Sequence, residues 1–484
     1  MAIKTGREFV DSLRKLKSVL YLNGEKVENF VDHPIVKPSI NTLAMVYDMA
    51  CDPRYEDVMT AVSPLINDKV SIKVHIPQSK DDLIKRVLAV RLLQQKSGGV
   101  CTMRNVDPLV PAYSVTYEID QKHGTEYHER YKEFLRRVQR EDLNLNFSIT
   151  DPKGDRTLRP HQQADPDLYL RVVDKNKDGI VVRGAKLHQT GAIACHEKLI
   201  FPTRTMTKND KDYVVAFSIP SDAEGITHVY GRYPNDMRWH EEGEIDKGNA
   251  RYTSHSTLVF YDDVFVPWDR VYMFGEYEFT GLLLKRFGNH HRTTYGGCRA
   301  GWCDVITGMA ASIAEYNGVH KNATIRDKIV EMVYLGEAMY ATGFSAAVNG
   351  YETPSGAYHP DALLANVCKV SISTLTYEIA RIAEDIAGGL LLTMPSEKDI
   401  KHPDLKDRFE KYFKGVPHIP AEQRIRMFTC LSSMIFGSHA ADLHISCPGA
   451  AGGYHGARMM IEREINLDEK KRLARIAAGI EESD

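Results

Sequence analysis

A double change of hydrophobic period constrains this chain more than any other feature. Up to about residue 145 apolar side chains recur at helical spacing. Between 146 and 275 they alternate or gather in short β-branched runs, and beyond 276 the helical spacing returns in long stretches. In TGREFVDSLRKLKSVL (5–20), Phe9, Leu13, Leu16, Val19 and Leu20 share one helical face. Asn23-Gly24 in YLNGEKV marks a hairpin turn. Helices are predicted over 39–51 with Ser39 as N-cap, over 79–96 with acidic residues at its positive end, and over 125–141. The runs LYLRVVDK, GIVVRGAKL, EKLIFPT, YVVAFSIP, THVYGRY and STLVFYDDVFVPW then predict six to eight antiparallel strands. Helical patterning over 300–317, 323–349, 360–388, 421–443 and 466–481 suits a bundle of long antiparallel helices. The expected fold is α+β and mostly α: an N-terminal helical domain (1–145), a middle antiparallel β domain (146–275) and a C-terminal helical bundle (276–484). A chain of 484 residues agrees with two or three domains.

With 26% charged residues and a net charge of −3, the chain has no general electrostatic reason to bind nucleic acid or an anionic membrane. A small-molecule partner is expected instead. No apolar signal core opens the sequence and no run of about 18 apolar residues occurs, so a cytoplasmic location is expected. Eight scattered cysteines without a CxxC pair exclude a zinc ribbon or a ferredoxin-type cluster; any metal site must be assembled from distant segments. Motifs for a Rossmann domain, a P-loop or an α/β-hydrolase elbow are absent.

The densest chemistry lies in RFGNHHRTTYGGCRAGWCD (286–304). His291, Tyr295 and Cys298 stand at i, i+4 and i+7, so on a helix an imidazole, a phenol and a thiol share one face. Gly296 and Gly297 each cost about 1 kcal/mol in a helix interior, which implies a close approach to the backbone. A cofactor site and a core helix with two incidental cysteines both satisfy this pattern. Cys303, five residues beyond Cys298, lies about 140° around the helix and is not expected to share its role.

Other stretches carry weaker signals. SITDPKGDR (148–156) can offer backbone donors and Lys153 or Arg156 to a phosphate, or can be a charged surface turn. KLHQTGA (186–192) sets His188, Gln189 and Thr190 in a row after a strand, where they can read a polar ligand edge or form a plain turn. HVYGRYPND (228–236) places Tyr230 and Arg232 around Gly231 with the same two readings. Gly388-Gly389 in AEDIAGGLLLTMPSE (383–397) is a helix C-cap signal that can also admit a ligand against backbone. Cys101 in KSGGVCTMRN reads as structural or as a ligand, and GAAGGYHGAR (449–458) as a mobile glycine-rich loop.

Taken together, GREFVDSLRKLKSVLYLNGEKVENFVDHPIVKPSIN, TYEIDQKHGTEYHERYKEFL, TDPKGDR, DGIVVRGAKLHQTGA, HRTTYGGC and AEDIAGGLLLTMPSE resemble the 4-hydroxybutyryl-CoA dehydratase/vinylacetyl-CoA isomerase branch of the 4-hydroxyphenylacetate 3-hydroxylase family of flavoproteins. The resemblance covers nearly the whole chain. It implies an acyl-CoA dehydrogenase-like fold and a homotetramer with FAD at subunit interfaces. It further implies flavin contacts from Thr150, Asp151, Lys153, Gly154, Asp155 and Arg156, from His188, Gln189 and Thr190, and from Tyr230, Gly231 and Arg232. Asn317 and the segment Glu384, Asp385, Ile386, Ala387, Gly388 and Gly389 complete that set. In the dehydratase branch FAD works beside a [4Fe-4S] cluster held by three cysteines and a histidine. The matching positions are Cys298 and His291, with Cys101 as a further cluster position, while Tyr295, Arg292 and Thr190 match or border the reacting centre.

Two departures stand against the dehydratase pattern. Asn105 takes the place of a cluster cysteine in CTMRN, where Cys101 matches only after a shift, and Ser256 falls where a catalytic glutamate is expected, with His255 the nearest titratable group. Three readings follow. The chain is a flavin-dependent lyase or isomerase of an acyl-CoA-like substrate, with His291 and Tyr295 moving protons. Alternatively it is a cluster-free monooxygenase of a phenol, supplied with reduced flavin by a partner reductase, in which His291, Arg292 and Tyr295 bind and deprotonate the phenol. The third is a paralogue that has lost catalysis.

Overall fold

The computed structural model describes residues 3–100, 107–231, 243–450 and 452–481. It shows the helical–β–helical order, with the β portion divided between two sheets. One sheet has six strands in the order Glu25–Lys26, Val19–Leu22, Ile226–Tyr230, Ser256–Pro267, Gly179–Thr190 and Arg171–Lys175. The other runs Val271–Phe274, Val215–Pro220, Glu197–Ile200 and Leu145–Ser148. Ile180, Val182, Phe217, Ile219, Val259, Val264 and Val266 pack into one apolar cluster that joins the two.

Several local expectations change. The helix predicted over 5–20 ends at Leu13, and Val19–Leu22 forms a strand parallel to Ile226–Tyr230. Phe9, Leu13 and Leu20 still line one core, so the apolar spacing was a core signal shared between a helix and a strand. With the Leu145–Ser148 and Glu197–Ile200 pair also parallel, the strands are not all antiparallel. The second helix starts at Lys37 rather than after Ser39, because Pro38 supplies a preset first turn, and the Ser39 hydroxyl donates to the Val36 carbonyl. Helix Leu109–His123 has buried residues along most of its length, so it lacks the polar stripe that would have revealed it. The glycine-rich stretch 449–458 is mostly taken up by helices Ser438–Gly449 and Tyr454–Glu464.

The 37-residue helix Thr280–Tyr316 organises the helical part. Its two adjacent glycines explain how. A Cβ on Gly296 would stand 2.8 Å from the Gly343 Cα on helix Ala323–Val348, and one on Gly297 would overlap the Val87 carbonyl oxygen on helix Lys80–Lys96. Gly301 meets the Arg91 carbonyl oxygen in the same way. Neighbouring helices, rather than a cofactor, make the close approach that these glycines permit.

Candidate functional site

Two groups of polar side chains stand out, one on the six-stranded sheet and one on the long helix, linked through the strand Leu145–Ser148 of the other sheet. The first is built by strand register. Ser256 pairs with Thr190 and Thr257 with Gln189, but Val259 pairs with Lys186, so the strand Gly179–Thr190 carries an extra residue there. His188 absorbs it with a left-handed φ of 57°. Such a bulge re-aims the side chains around it. The Leu187 amide donates to the Thr150 carbonyl (2.7 Å), tying the 150–156 loop to the bulge. Below it Lys186 Nζ reaches Asp151 at 2.8 Å and donates to the Ile149 and Phe201 carbonyls, while Asp151 also accepts the Leu170 amide. Burial opposes both charges, raising Asp151 and lowering Lys186, and this dense pairing offsets only part of that effect.

On the half-buried face the Thr190 and Ser256 hydroxyls lie 3.0 Å apart, and the Gly231 amide donates to the Ser256 carbonyl. A Cβ on Gly231 would stand 2.5 Å from that carbonyl oxygen, so only glycine fits. Lys153 is depressed by burial and by the nearby Arg156 and Arg204 cations, and it in turn helps depress His188 after burial. Thr150, Asp151, Lys153, Arg156, His188, Thr190, Gly231 and Ser256 thus belong to one neighbourhood. Gly154, with φ of 51°, and Asp155, whose carboxylate accepts from the Thr157 amide and hydroxyl, shape the loop itself. Gln189 turns inward, its amide group donating to the Leu187 carbonyl while Oε1 lies buried without a partner. Tyr230 also faces inward, stacked on His255 at 4.8 Å. Arg232 and Cys101 lie outside the described residues.

The second group stands on the long helix. His291 Nδ1 is 2.8 Å from Asp107 Oδ2, and its ring meets Tyr295 edge-on at 5.2 Å. Tyr295 is fully buried and its hydroxyl donates to the Ser446 carbonyl at 3.3 Å. That carbonyl also accepts from Lys369 Nζ at 3.2 Å, and Arg299 donates to the Ser446 hydroxyl. Arg292 points to a different neighbour, donating to Asn366 Oδ1 at 2.5 Å; burial lowers it to about 10, so it stays a cation at neutral pH. Cys298 is buried in the helical core. Cys303 donates to the Met332 carbonyl on helix Ala323–Val348, away from the His291 face.

An aromatic bridge links the two groups. Asn146 donates to the Thr190 carbonyl (2.9 Å), its neighbour Phe147 meets Phe287 at 4.8 Å, and Phe287 stacks on His291 at 5.3 Å. Asn317 and the Glu384–Gly389 segment are not brought there within one chain. Asn317 ends the long helix, about 39 Å along it from His291 at 1.5 Å per residue, and its side-chain oxygen accepts from Arg424. Asp385 pairs with Lys328 at 2.6 Å, and Gly388 and Gly389 are open, with nothing within 4 Å of an added Cβ. Sequence reasoning missed Asp107, which holds His291, and Arg86 and Thr294, which donate to that carboxylate. Asp107 directly follows the CTMRNV stretch, but no local pattern marks a lone aspartate as the partner of a histidine 184 residues away.

An isoalloxazine edge and a pyrophosphate fit the first group: half-buried hydroxyls and a left-handed bulge stand beside Lys153, Arg156 and Arg204. Among the described residues no group of three His, Cys, Asp or Glu able to hold a metal ion occurs; Cys101 lies outside them, and Asn105 offers an amide where the dehydratase pattern has a thiolate.

Residues 5–273 match the family model described as 4-hydroxyphenylacetate 3-hydroxylase N terminal, and residues 280–479 match the C terminal one. The chain belongs to the 4-hydroxyphenylacetate 3-hydroxylase family. Within it, the chain is 46% identical to 4-hydroxybutyryl-CoA dehydratase/vinylacetyl-CoA-Delta-isomerase of Clostridium aminobutyricum, over 99% of this chain and 100% of that one. Among solved structures, an oxygen-tolerant archaeal 4-hydroxybutyryl-CoA dehydratase from N. maritimus superposes with a TM-score of 0.96 at 42% identity, covering 99% of this chain and 96% of that one. The oxygenase component of 4-hydroxyphenylacetate 3-monooxygenase, complexed with FAD, superposes at 0.85 with 27% identity over 99% and 98% of the two chains. Butyryl-CoA dehydrogenase from Megasphaera elsdenii, at 15% identity and a TM-score of 0.50, shares the fold. The acyl-CoA dehydrogenase-like architecture expected from the sequence is therefore present.

Proposed function

We propose that this protein is a flavin-dependent enzyme of the dehydratase/isomerase branch, acting on a small acyl-CoA-like substrate by proton movement at His291 and Tyr295. The whole-chain match to the clostridial enzyme, combined with an imidazole and a phenol facing one another on the long helix, carries this reading. FAD, when bound, supplies redox chemistry next to the acyl chain. Lys153 and Arg156 hold its phosphates, and the Thr190 and Ser256 hydroxyls meet its polar edge or the substrate. Tyr230, Gly231, His188 and Gln189 shape the strand ends that carry those hydroxyls. His291 takes a proton from the substrate carbon, and Tyr295, anchored on the Ser446 carbonyl, orients the acyl group beside it. No step is routed through an iron–sulfur cluster, and neither Cys298 nor Cys101 has a role as a ligand in this scheme.

Asn317 and Glu384–Gly389 contact flavin only if another subunit presents them, so the reading includes a homotetramer with shared flavin sites. A soluble, cytoplasmic enzyme belongs to the same proposal; no helix among the described residues is long and apolar enough to cross a membrane.

A second reading, a phenol-hydroxylating monooxygenase with a partner reductase, draws on one observation: the carboxylate and thiolate expected of a dehydratase are replaced by Ser256 and Asn105. Anaerobic incubation with vinylacetyl-CoA separates the two. Crotonyl-CoA formation without oxygen supports the isomerase. Oxygen uptake driven by NADH, a flavin reductase and a phenol, with no isomerisation, supports the monooxygenase. Neither activity from flavin-loaded protein marks a catalytically silent paralogue.

A further inference from the structure

Three cations converge on the 150–156 loop. Burial comes first among the causes that lower Lys153, and the Arg156 and Arg204 cations add to it. Asp151 favours the Lys153 charge but is itself paired with Lys186. Arg204 is anchored by donation to the Leu158 carbonyl at 3.2 Å. Among the described residues, no hydrogen bond or ion pair ties up the Lys153 ammonium or the Arg156 guanidinium. Like charges gathered in this way repel one another, so the backbone that carries them must be held in place. Lys153 and Gly154 both adopt left-handed φ, 75° and 51°, and a lysine stays in that region only when its surroundings impose it.

Gln163 provides the hold. Its Oε1 accepts from the Asp155 amide at 3.0 Å and its Nε2 donates to the Asp155 carbonyl at 2.8 Å, so one side-chain amide pairs with both backbone groups of a single residue. The fit is close: a Cβ on Gly154 would stand 2.4 Å from Gln163 Oε1 and 2.6 Å from Leu168 Cδ1. A second tie, from the Lys153 amide to the Leu168 carbonyl at 3.3 Å, closes the other side of the turn. Gln163 is 9% exposed and lies between two short helical turns, Pro160–Gln162 and Pro166–Leu168. The first turn is fixed from behind by the buried Asp210 carboxylate, which lies 2.6 Å from His161 Nδ1 and accepts from Arg159 Nε at 3.3 Å. Glutamine suits this seat because asparagine is shorter by a methylene, and a glutamate carboxylate has no hydrogen to give the Asp155 carbonyl.

We propose that Gln163 is a positioning residue that sets the 153–156 backbone so that Lys153 and Arg156 present their charges to the phosphates of the dinucleotide flavin. In this role Gln163 acts through the Asp155 backbone and needs no contact with flavin or substrate. The role rests on the flavin phosphate contacts proposed above, but the clamp itself is a property of the free protein and is measured without ligand.

The decisive variant is Gln163→Leu, which keeps the bulk and removes both bonds. Full-length parent and variant, freed of flavin, are titrated with FAD and with riboflavin, which carries no phosphate. The FAD dissociation constant of Gln163→Leu is expected to rise about 10- to 30-fold, while that for riboflavin stays within about twofold of the parent. In protein that already carries Lys153→Met and Arg156→Met, adding Gln163→Leu changes FAD affinity by less than about twofold, because the charges it positions are gone. The Asp155 amide of the free parent exchanges with deuterium at least about tenfold more slowly than that of Gln163→Leu. Equal losses of FAD and riboflavin affinity, an unchanged FAD affinity in Gln163→Leu, or an equally fast Asp155 amide in both proteins overturns the proposal. If the Lys153→Met, Arg156→Met protein binds FAD as the parent does, the phosphate reading has failed and the positioning role falls with it, while the exchange rates separately decide whether the clamp exists.

Discussion

The sheet seam and the long helix reach the same neighbourhood by opposite means. On the helix, His291 and Tyr295 are fixed by one element and one period, and Asp107 and the Ser446 carbonyl hold them. At the seam, Thr190 and Ser256 come from two strands and Gly231 follows a third, and the register that sets Thr190 beside Ser256 depends on a single bulged residue, His188. Both regions bury some polar atoms without a partner: both ring nitrogens of His255 and one of His228 near the seam, and Arg286 Nε and Asn289 Oδ1 on the helix, where Arg86 and Asp107 form a tight ion pair. Under the proposed function this difference amounts to a division of labour, with proton chemistry on the helix and ligand recognition at the bulged strand ends.

The largest effect that could break this division is catalytic. His291→Ala is expected to lower thioester turnover by about 10² to 10⁴ while flavin absorbance per subunit stays near the parent level. Turnover within tenfold of the parent would move the chemistry away from the helix. Next in size is the packing beneath it. Gly297→Ala drives a Cβ into the Val87 carbonyl oxygen, where neither helix backbone can yield easily; the expected cost is about 1–3 kcal/mol, read as a lower chemical-denaturation midpoint. An unchanged midpoint would mean that the two helices are not locked there.

Acid should distinguish the regions by their histidines. Burial lowers His196 and His255 to about 3 and His128 to about 4, so all three are neutral in the folded protein. Because these folded values lie below the unfolded value of about 6.5, the unfolded chain takes up protons first as pH drops. Stability is fully present above about pH 6.5 and is lost progressively toward about pH 3. A melting temperature that stays flat from pH 7 to 5 would contradict this. Replacing His255 by Phe removes one such group, together with two unsatisfied nitrogens, and should flatten the acid limb. The smallest effect belongs to the seam hydroxyls. Thr190→Val breaks the 3.0 Å contact with Ser256, costing about 1 kcal/mol or roughly fivefold in the affinity for flavin or substrate, and a titration that shows no change would place both ligands elsewhere.

How much of this was legible in sequence follows the same divide. The His291–Tyr295 face was readable because helical period is local, and most strand runs were readable from β-branched residues. The partners of those elements were not. Val19–Leu22 joins a sheet some 200 residues away, Asp107 reaches His291 across 184, and the adjacent glycines gave the correct signal of close approach but not its source. The loop, strand-end and helix-end motifs assigned to flavin split in space: the 150–156 loop lies at the bulge, but Asn317 and Glu384–Gly389 lie far along the helices. That separation follows from helix length, and it makes subunit association part of the functional account.

The most direct test of that account is strictly anaerobic conversion of vinylacetyl-CoA by the flavin-loaded protein, with iron measured on the same sample. Crotonyl-CoA formation with flavin and less than one iron per subunit is the predicted result. A full complement of four irons per subunit, or no conversion by protein that binds flavin, would contradict a cluster-free proton transfer at His291.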